Sequence, residues 1–422
     1  MSLQDFKPMQ ERCSNCSFCK WIPFDKVKSI RFAQNCPSVV YNNFNTYSAR
    51  GRFQLGAAIN NGEIDYSGKA GQVAHDCLSC GACDVSCKIC RYNLEPLEHN
   101  IALKNDAVEK GILAPGQKEM IEALKAEKTL VAGAKKADRT AWANGLGLKD
   151  VTKEAAEVLF FPGCHYSYDT ALRDSVRGMV EMLKNAGVDL GYLGNADVCC
   201  AGRAYQMGFF KEFEAAANNN ISAFKQFGVK VIVTPCADCY QAFKRLYAKL
   251  GLDVQVLHIV EFVDQLVEDG KIKFTKKLDL DVTYHDPCHL GRLAEPYVEW
   301  NGKEKKILNQ VHTWEPRRPR YNGAYGVYDI PRHLISSIPG VRLHEMERIR
   351  EYSWCCGAGG GCNVTDEEFS VWTATERLEE AVSTGASALV TACPWCKTNF
   401  NKVTDGPKME IVDIIDLVRS AL

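Results

Sequence analysis

The sequence predicts a mixed fold: a mainly helical, cysteine-rich amino-terminal module followed by two tandem α/β units. Three observations predict it. Twenty cysteines stand in 422 residues, and they fall into three groups, at 13–90, 164–239 and 288–396, with plain gaps between them. The second and third groups repeat each other. Within each repeat short β-rich runs alternate with helical patterns, which argues for mainly parallel sheets.

Hydrophobic content of 46% and charged content of 24% are ordinary for a soluble globular chain. The 51 basic and 52 acidic side chains nearly cancel, so no broad field for nucleic acid or a membrane surface follows. The opening MSLQDFKPMQERC lacks the basic-then-apolar pattern of a secretory signal, and a cytoplasmic location is expected. Apolar runs such as Val158 to Phe161 and Val231 to Val233 fall far short of the roughly 18 residues that a spanning helix needs, so membrane association is expected only through a partner. In a reducing compartment, clustered Cys-x-x-Cys pairs read first as metal sites and second as redox dithiols.

In the amino-terminal module, Cys13-Ser-Asn-Cys16-Ser-Phe-Cys19 is followed at a distance by Cys36-Pro37. Cys77-Leu-Ser-Cys80-Gly-Ala-Cys83 is followed by Cys87. This resembles two-cluster ferredoxins. There the remote cysteine of one run completes the other cube, because three close-spaced thiolates wrap three irons and cannot reach the fourth. Cys13, Cys16, Cys19 and Cys87 are thus expected to hold one cubane 4Fe-4S cluster, and Cys77, Cys80, Cys83 and Cys36 a second. Two departures stand out. Sixteen residues separate Cys19 from Cys36, and Lys88 replaces the proline often found after the fourth cysteine. The second leaves Cys90 as a rival to Cys87, although the spacing favours Cys87. Structural zinc also uses Cys-x-x-Cys, but it has little use for triple runs.

Lys104 to Lys153, rich in Ala, Lys and Glu, reads as a helix-bearing connector. Beyond it, Cys199-Cys200-Ala-Gly matches Cys355-Cys356-Gly-Ala, and VIVTPCADCYQAFKR (231–245) matches LVTACPWCKTNFNK (389–402). These pairs lie 156 and 157 residues apart, whereas Cys164 and Cys288 lie only 124 apart, so the second copy holds about thirty extra residues before its cysteine pair. Strands are expected at 158–161, 229–234, 282–285 and 388–391. Helical spacing is read in Met207, Phe210, Phe213, Ile221 and Phe224, in Ile259, Val263, Leu266 and Val267, and in Ile411, Ile414, Ile415 and Val418, as core-packing stripes without a cofactor role. The cysteines follow the strands, where functional groups of α/β sheets gather.

Each repeat carries five thiols: Cys164, Cys199, Cys200, Cys236 and Cys239 in the first; Cys288, Cys355, Cys356, Cys393 and Cys396 in the second. A cubane takes four, so the fifth is either idle or bridges irons in a cluster that is not a regular cube. Adjacent cysteines need an unusual backbone to serve one site, and Gly202, Gly357, Gly359, Gly360 and Gly361 could provide it. His165, Arg203, His285, Asp286, His289 and Arg292 lie beside the sets, where tuning or packing is the expected role. Cys362 and Cys90 remain outside the four sites as ordinary thiols.

These repeats resemble the CCG domains, and two copies behind a two-cluster module resemble the D-type subunit of heterodisulfide reductase, a fusion of electron-input and catalytic subunits. Related iron-sulfur subunits accompany glycolate and lactate dehydrogenases and the tungsten benzoyl-CoA reductase complex. The resemblance implies two noncubane 4Fe-4S clusters on the ten repeat cysteines, facing a disulfide substrate, in addition to the two cubanes. It implies a ferredoxin-like domain at 1–125, a helical connector at 126–153, a first CCG domain at 154–275, and a second at 276–422 with an insertion near 293–325. Within that insertion Arg317, Arg318 and Arg320 suit phosphate or carboxylate, with a solvated loop as the bland reading. GAGGGC (357–362) follows a cysteine pair instead of a strand and is no dinucleotide fingerprint. A flavoprotein or other electron-transfer subunit is therefore expected as partner, a disulfide or thiol coenzyme as substrate. Metal analysis of anaerobically purified protein is expected to find iron and sulfide in a coloured sample, whereas a colourless sample rich in zinc would overturn this coordination.

Overall fold

The computed structural model describes residues 2–90, 94–308 and 311–422, and for Cys90, Val311 and His312 the backbone alone. The amino-terminal part is helical, with its longest helices at Ala49–Asn60 and Pro96–Glu109. Pro96 opens the second of these, where a missing N–H costs nothing. The loop between Cys19 and Cys36 is pinned by a Trp21–Gln34 bridge and by Ile22 N–H donating to Ala33 O at 2.8 Å.

The connector is helical only at its start. Helix Gln117–Glu127 ends where Lys128 adopts φ +56, a left-handed stop, and only short turns follow. Strand β1 (Lys149–Asp150) then joins the first sheet at its edge.

That sheet continues with β2 (Val158–Phe160), β3 (Leu190–Tyr192), β4 (Val231–Thr234) and β5 (Gln255–His258), in the order β1-β3-β2-β4-β5, all parallel. The second copy has β6 (Leu280–His285), the hairpin β7 (Lys303–Ile307) and β8 (Val311–Glu315), then β9 (Val341–Leu343), β10 (Ala388–Thr391) and β11 (Glu410–Asp413). Its sheet runs β11-β10-β6-β9, also all parallel. Read from the other edge, this is the β3-β2-β4-β5 order of the first copy. The central strands are buried on both faces, as parallel sheets covered by helices require.

The copies pack reciprocally. Helix Ile259–Glu268, which follows β5, packs on Asp329–Ser337, which precedes β9; helix Ile414–Ser420, which follows β11, packs on Arg173–Asn185, which precedes β3. The result is a pseudo-two-fold arrangement that brings both sets of strand ends to one seam. Ile411 lies in β11 and not in the closing helix: Asp413 caps that helix by accepting from Ile415 N–H at 2.8 Å, so the helix starts after it.

The second copy also carries a buried ionic knot. The Glu380 carboxylate accepts from Arg348 Nε at 2.9 Å and Arg377 Nη1 at 2.6 Å, and all three side chains are buried. Arg348 extends to Gln34 O of the amino-terminal part, and Arg377 Nε donates to His285 Nδ1 at 3.1 Å. Burial pushes the Glu380 carboxyl up, but Arg377 and Arg348 outweigh it and hold it below its ordinary value. Its contribution is therefore present above the unfolded carboxylate pKa and lost as pH falls through the lower folded one. Glu380→Gln, which leaves two buried guanidinium groups without their anion, is expected to cost about 3–5 kcal/mol, read as a lowered denaturation midpoint that no longer responds to acid through this group.

Candidate metal centres

Cys16 is exposed and Cys13 half-buried, whereas Cys19 is buried. Cys13, Cys16, Cys19 and Cys87 line one small cavity. Cys36, Cys77, Cys80 and Cys83 line another. Cys83 and Cys87 lie one turn apart on helix Ala82–Cys90, so a single helix serves both cavities. Cys36 stands just before helix Pro37–Asn42 and reaches the cavity of the remote run. The Cys90 side chain lies outside the described residues.

Burial pushes the Cys19 thiol up to about 11 and the Cys36 thiol up to about 12. Such thiols are neutral until a cation arrives, and metal binding then releases their protons. Two buried cations already stand nearby. Lys104 Nζ donates to Cys77 O at 2.6 Å, and Arg52 donates to Val73 O at 2.9 Å and Ser38 Oγ at 3.0 Å. No sequence motif marks either residue, because nothing in a helical Lys or Arg signals that it will be buried.

In the first copy Cys164 follows β2, Cys199 and Cys200 follow β3, and Cys236 and Cys239 follow β4. In the second, Cys288 follows β6, Cys355 and Cys356 follow β9, and Cys393 and Cys396 follow β10. All ten are buried. Their thiols touch in the same sequence in both copies. Cys164 meets Cys199, Cys199 meets Cys200, Cys200 meets Cys239 and Cys239 meets Cys236. Cys288, Cys355, Cys356, Cys396 and Cys393 form the matching chain.

The adjacent cysteines are steered by the backbone. Ala201 N–H approaches Cys199 Sγ at 3.3 Å, and Gly357 N–H approaches Cys355 Sγ at 3.4 Å. Gly357 takes φ +92, but in the first copy Ala201 takes the left-handed conformation at φ +54, and Gly202 begins a helix without needing positive φ. Gly360, at φ +60, meets the rest of the chain differently: a Cβ there would stand 2.3 Å from Cys77 O. The glycine-rich run thus lets the second copy lie directly on the cysteine loop of the amino-terminal part, where the Cys80 and Cys355 thiols touch.

The flanking residues divide by role. Arg292 is buried and donates Nε to Cys80 O at 2.6 Å and Nη1 to Ser353 O at 2.6 Å. His285, Cys356 and Cys396 place their ligand atoms within 4.8 Å of one another. Asp286 instead faces Arg332, at 2.7 and 2.9 Å. His289 Nδ1 lies 3.2 Å from Cys288 Sγ and 3.3 Å from Asp238 Oδ1. His165 stacks on Trp395 at 4.0 Å, and Arg203 lies 3.7 Å over the same ring while donating to Asp238 at 3.0 Å. Arg203, Asp238, Cys288, His289, Cys356 and Trp395 line a narrow pocket at the seam between the copies. Trp395, inside Cys-Pro-Trp-Cys, is visible in the sequence as an aromatic between two cysteines.

Arg139 Nη1 donates to Cys164 Sγ at 3.3 Å, a contact delivered by the connector that no motif announces. Arg139 Nε, Arg292 Nη2 and His285 Nε2 are buried without a hydrogen-bond partner among the described residues. Buried donors of this kind beside sulfur sets fit a sulfide- and thiolate-rich group, whose sulfurs accept hydrogen bonds. Cys362 is buried in one hydrophobic cluster with Leu78, Cys355 and Phe369, with its thiol 3.9 Å from His75 O.

The insertion covers the amino-terminal part. Lys88, fully buried, binds Glu95 at 2.5 Å, Asp84 at 3.4 Å and Tyr321 O at 2.8 Å. Arg318 pairs with Glu95 at 3.2 Å, so it is engaged within the chain, while β7 is solvated along its length.

Among the described residues no helix is long and apolar enough to cross a membrane. The model of the cysteine-rich CCG domain matches twice, at residues 158–244 and 319–401. The chain is 31% identical over 357 residues to the D-type subunit of the dihydromethanophenazine:CoB–CoM heterodisulfide reductase of Methanosarcina mazei, covering 82% of this chain and 78% of that one. It is 28% identical to the EtfAB:quinone oxidoreductase of Syntrophomonas wolfei, over 79% of this chain and 43% of the relative. It is 26% identical to the B-type subunit of the fumarate reductase (CoM/CoB) of Methanothermobacter marburgensis, over 82% of this chain and 61% of the relative. With its paired five-thiol repeats, the chain belongs to the CCG-domain iron-sulfur family, as an oxidoreductase subunit of the heterodisulfide-reductase type.

Proposed function

We propose that the chain carries electrons from its amino-terminal cysteine sets to the two five-thiol sets and reduces a disulfide at the seam between the copies. The observation that carries this reading is the contact of Cys80 with Cys355, which joins the Cys36 set to the second five-thiol set, together with the cavity that both copies line. The cysteines hold two cubane and two noncubane 4Fe-4S clusters, which when bound supply one-electron carriers. Cys13, Cys16, Cys19 and Cys87 form the solvent-near end, where a flavoprotein or other electron-transfer subunit delivers electrons. Arg203 and Asp238 brace Trp395 and His289 at the seam, and Arg203, His289 and Trp395 present a cationic, aromatic surface to a disulfide or thiol coenzyme. The domains in this reading are 1–125, 126–153, 154–275 and 276–422. Similarity to the EtfAB:quinone oxidoreductase favours a second reading, in which the same sets relay electrons without catalysis.

Anaerobic protein assayed with reduced viologen dye and a heterodisulfide is expected to turn over, and Cys236→Ser and Cys393→Ser each to fall to background. Fully loaded protein without turnover would select the relay. Cys87→Ser is expected to lose one cubane's iron, while Cys90→Ser keeps it; the reverse result would reassign the fourth ligand.

A further inference from the structure

Arg139 and Asp197 form an ion pair at 3.0 Å, with side chains only 1% and 2% exposed. The guanidinium also donates Nη1 to Cys164 Sγ at 3.3 Å and Nη2 to Val198 O at 3.0 Å. Asp197 and Val198 immediately precede the Cys199-Cys200 pair. One guanidinium therefore ties the leading cysteine of the first set to the backbone of its cysteine pair. It comes from the connector, outside both repeats, so the second copy has no counterpart in register.

The second set has a different neighbour. Arg292 donates to Cys80 O, Glu351 O and Ser353 O, all of them neutral carbonyls. Among the described residues its charge has no carboxylate hydrogen-bonded to it, whereas Asp197 offsets that of Arg139. Potentials of iron-sulfur centres follow local charge and hydrogen bonds to sulfur, and at this depth solvent screens neither charge.

We propose that Arg139, balanced by Asp197, is a positioning residue that sets the reduction potential of the centre held by Cys164, Cys199, Cys200, Cys236 and Cys239. This rests on the cluster reading above. The guanidinium stabilises the electron-rich state through the charged Nη1–Sγ hydrogen bond and raises the potential; the Asp197 carboxylate lowers it. The pair thus holds the first centre at a lower potential than an unopposed arginine would.

The test is a mediated redox titration at pH 7, followed by electron paramagnetic resonance, on the full chain with iron and sulfide analysis. The signal missing from Cys236→Ser identifies the first centre. Arg139→Gln is expected to shift its reduction equilibrium about tenfold toward the oxidised form, ~59 mV for a one-electron couple. Asp197→Asn should shift it the opposite way, the double variant should return near the parent, and Arg139→Lys should lie between parent and Arg139→Gln. Removing one member of a buried pair destabilises. If Arg139→Gln fails to hold iron, Asp197→Asn, which keeps the guanidinium, decides: a raised potential supports the proposal and an unchanged one overturns it. Loaded single variants with unchanged potentials, or shifts of the same sign, overturn it as well. Failure of the underlying cluster reading shows separately, as a parent protein whose first set binds no iron.

Discussion

Burial opposes the ionisation of a thiol, and in this chain the ten repeat cysteines and, in the amino-terminal part, Cys19 are buried, with most of the others half-buried. Positive charge must therefore reach each set from close by. Iron is one source; the protein's own cations are another. Lys104 and Arg52 stand behind the Cys36 set, Arg139 behind the first five-thiol set and Arg292 behind the second. Three of these four are hydrogen-bonded to carbonyl and hydroxyl oxygens, which satisfy the N–H groups without cancelling the charge. Such an arrangement is costly in a protein that holds no anionic group at that place and sensible in one that does.

The duplicated architecture then decides where the sulfur sets meet. The helix after the last strand of each copy packs on the other copy's helix before β3 or β9, a reciprocal arrangement in which the carboxyl ends of both parallel sheets open on the same seam. Yet the two halves are not chemically equivalent. Where the second copy has His285 at the end of β6, the first has Phe161, and where the first has Gly163, whose absent side chain makes room for Cys239 Sγ, the second has Pro287. A Cβ at Gly163 would stand 2.8 Å from that sulfur. Two similar cradles thus present different hydrogen-bonding partners to their sulfurs, and in the proposed cluster reading this gives two like centres unlike potentials.

Much of this was legible in the residues because cysteine spacing and strand periodicity are local signals. The strands before each cysteine loop are read within a few residues, and the repeat by matching two such short runs against each other. What escaped is what depends on distant chain. Ile411 shares helical spacing with Ile414 and Ile415, and only the cap at Asp413 and pairing with β10 make it a strand residue. The middle of the connector, 119–139, has helix-forming composition, but Lys128 turns left-handed where its carbonyl accepts from Cys199 N–H at 2.9 Å, so tertiary contact overrides propensity. Lys88 looked like a mere departure from a motif, and its partners Glu95 and Tyr321 come from a later helix start and from the insertion.

The amino-terminal part touches both copies, through Ser79 and Asn105 on the first, but why its Cys36 set meets the cysteines of the second follows from the same asymmetry. After its cysteine pair the first copy reads Ala201-Gly202-Arg203, whose Arg203 side chain fills the seam toward Ala358 O and Trp395. The second copy reads Gly357-Ala-Gly-Gly-Gly361, and Gly359 and Gly360 let Leu78 O and Cys77 O approach closer than any side chain would permit. Backbone rests on backbone there, which is the shortest separation two loops can reach, and it is what brings the thiols of Cys80 and Cys355 together. Arg292 and Arg348 reinforce the junction by donating to Cys80 O and Gln34 O. A run of small residues and two buried guanidinium groups therefore select the neighbour of the Cys36 set, and a bulky substitution at Gly359 or Gly360 would press on Leu78 O and Cys77 O and separate the thiols.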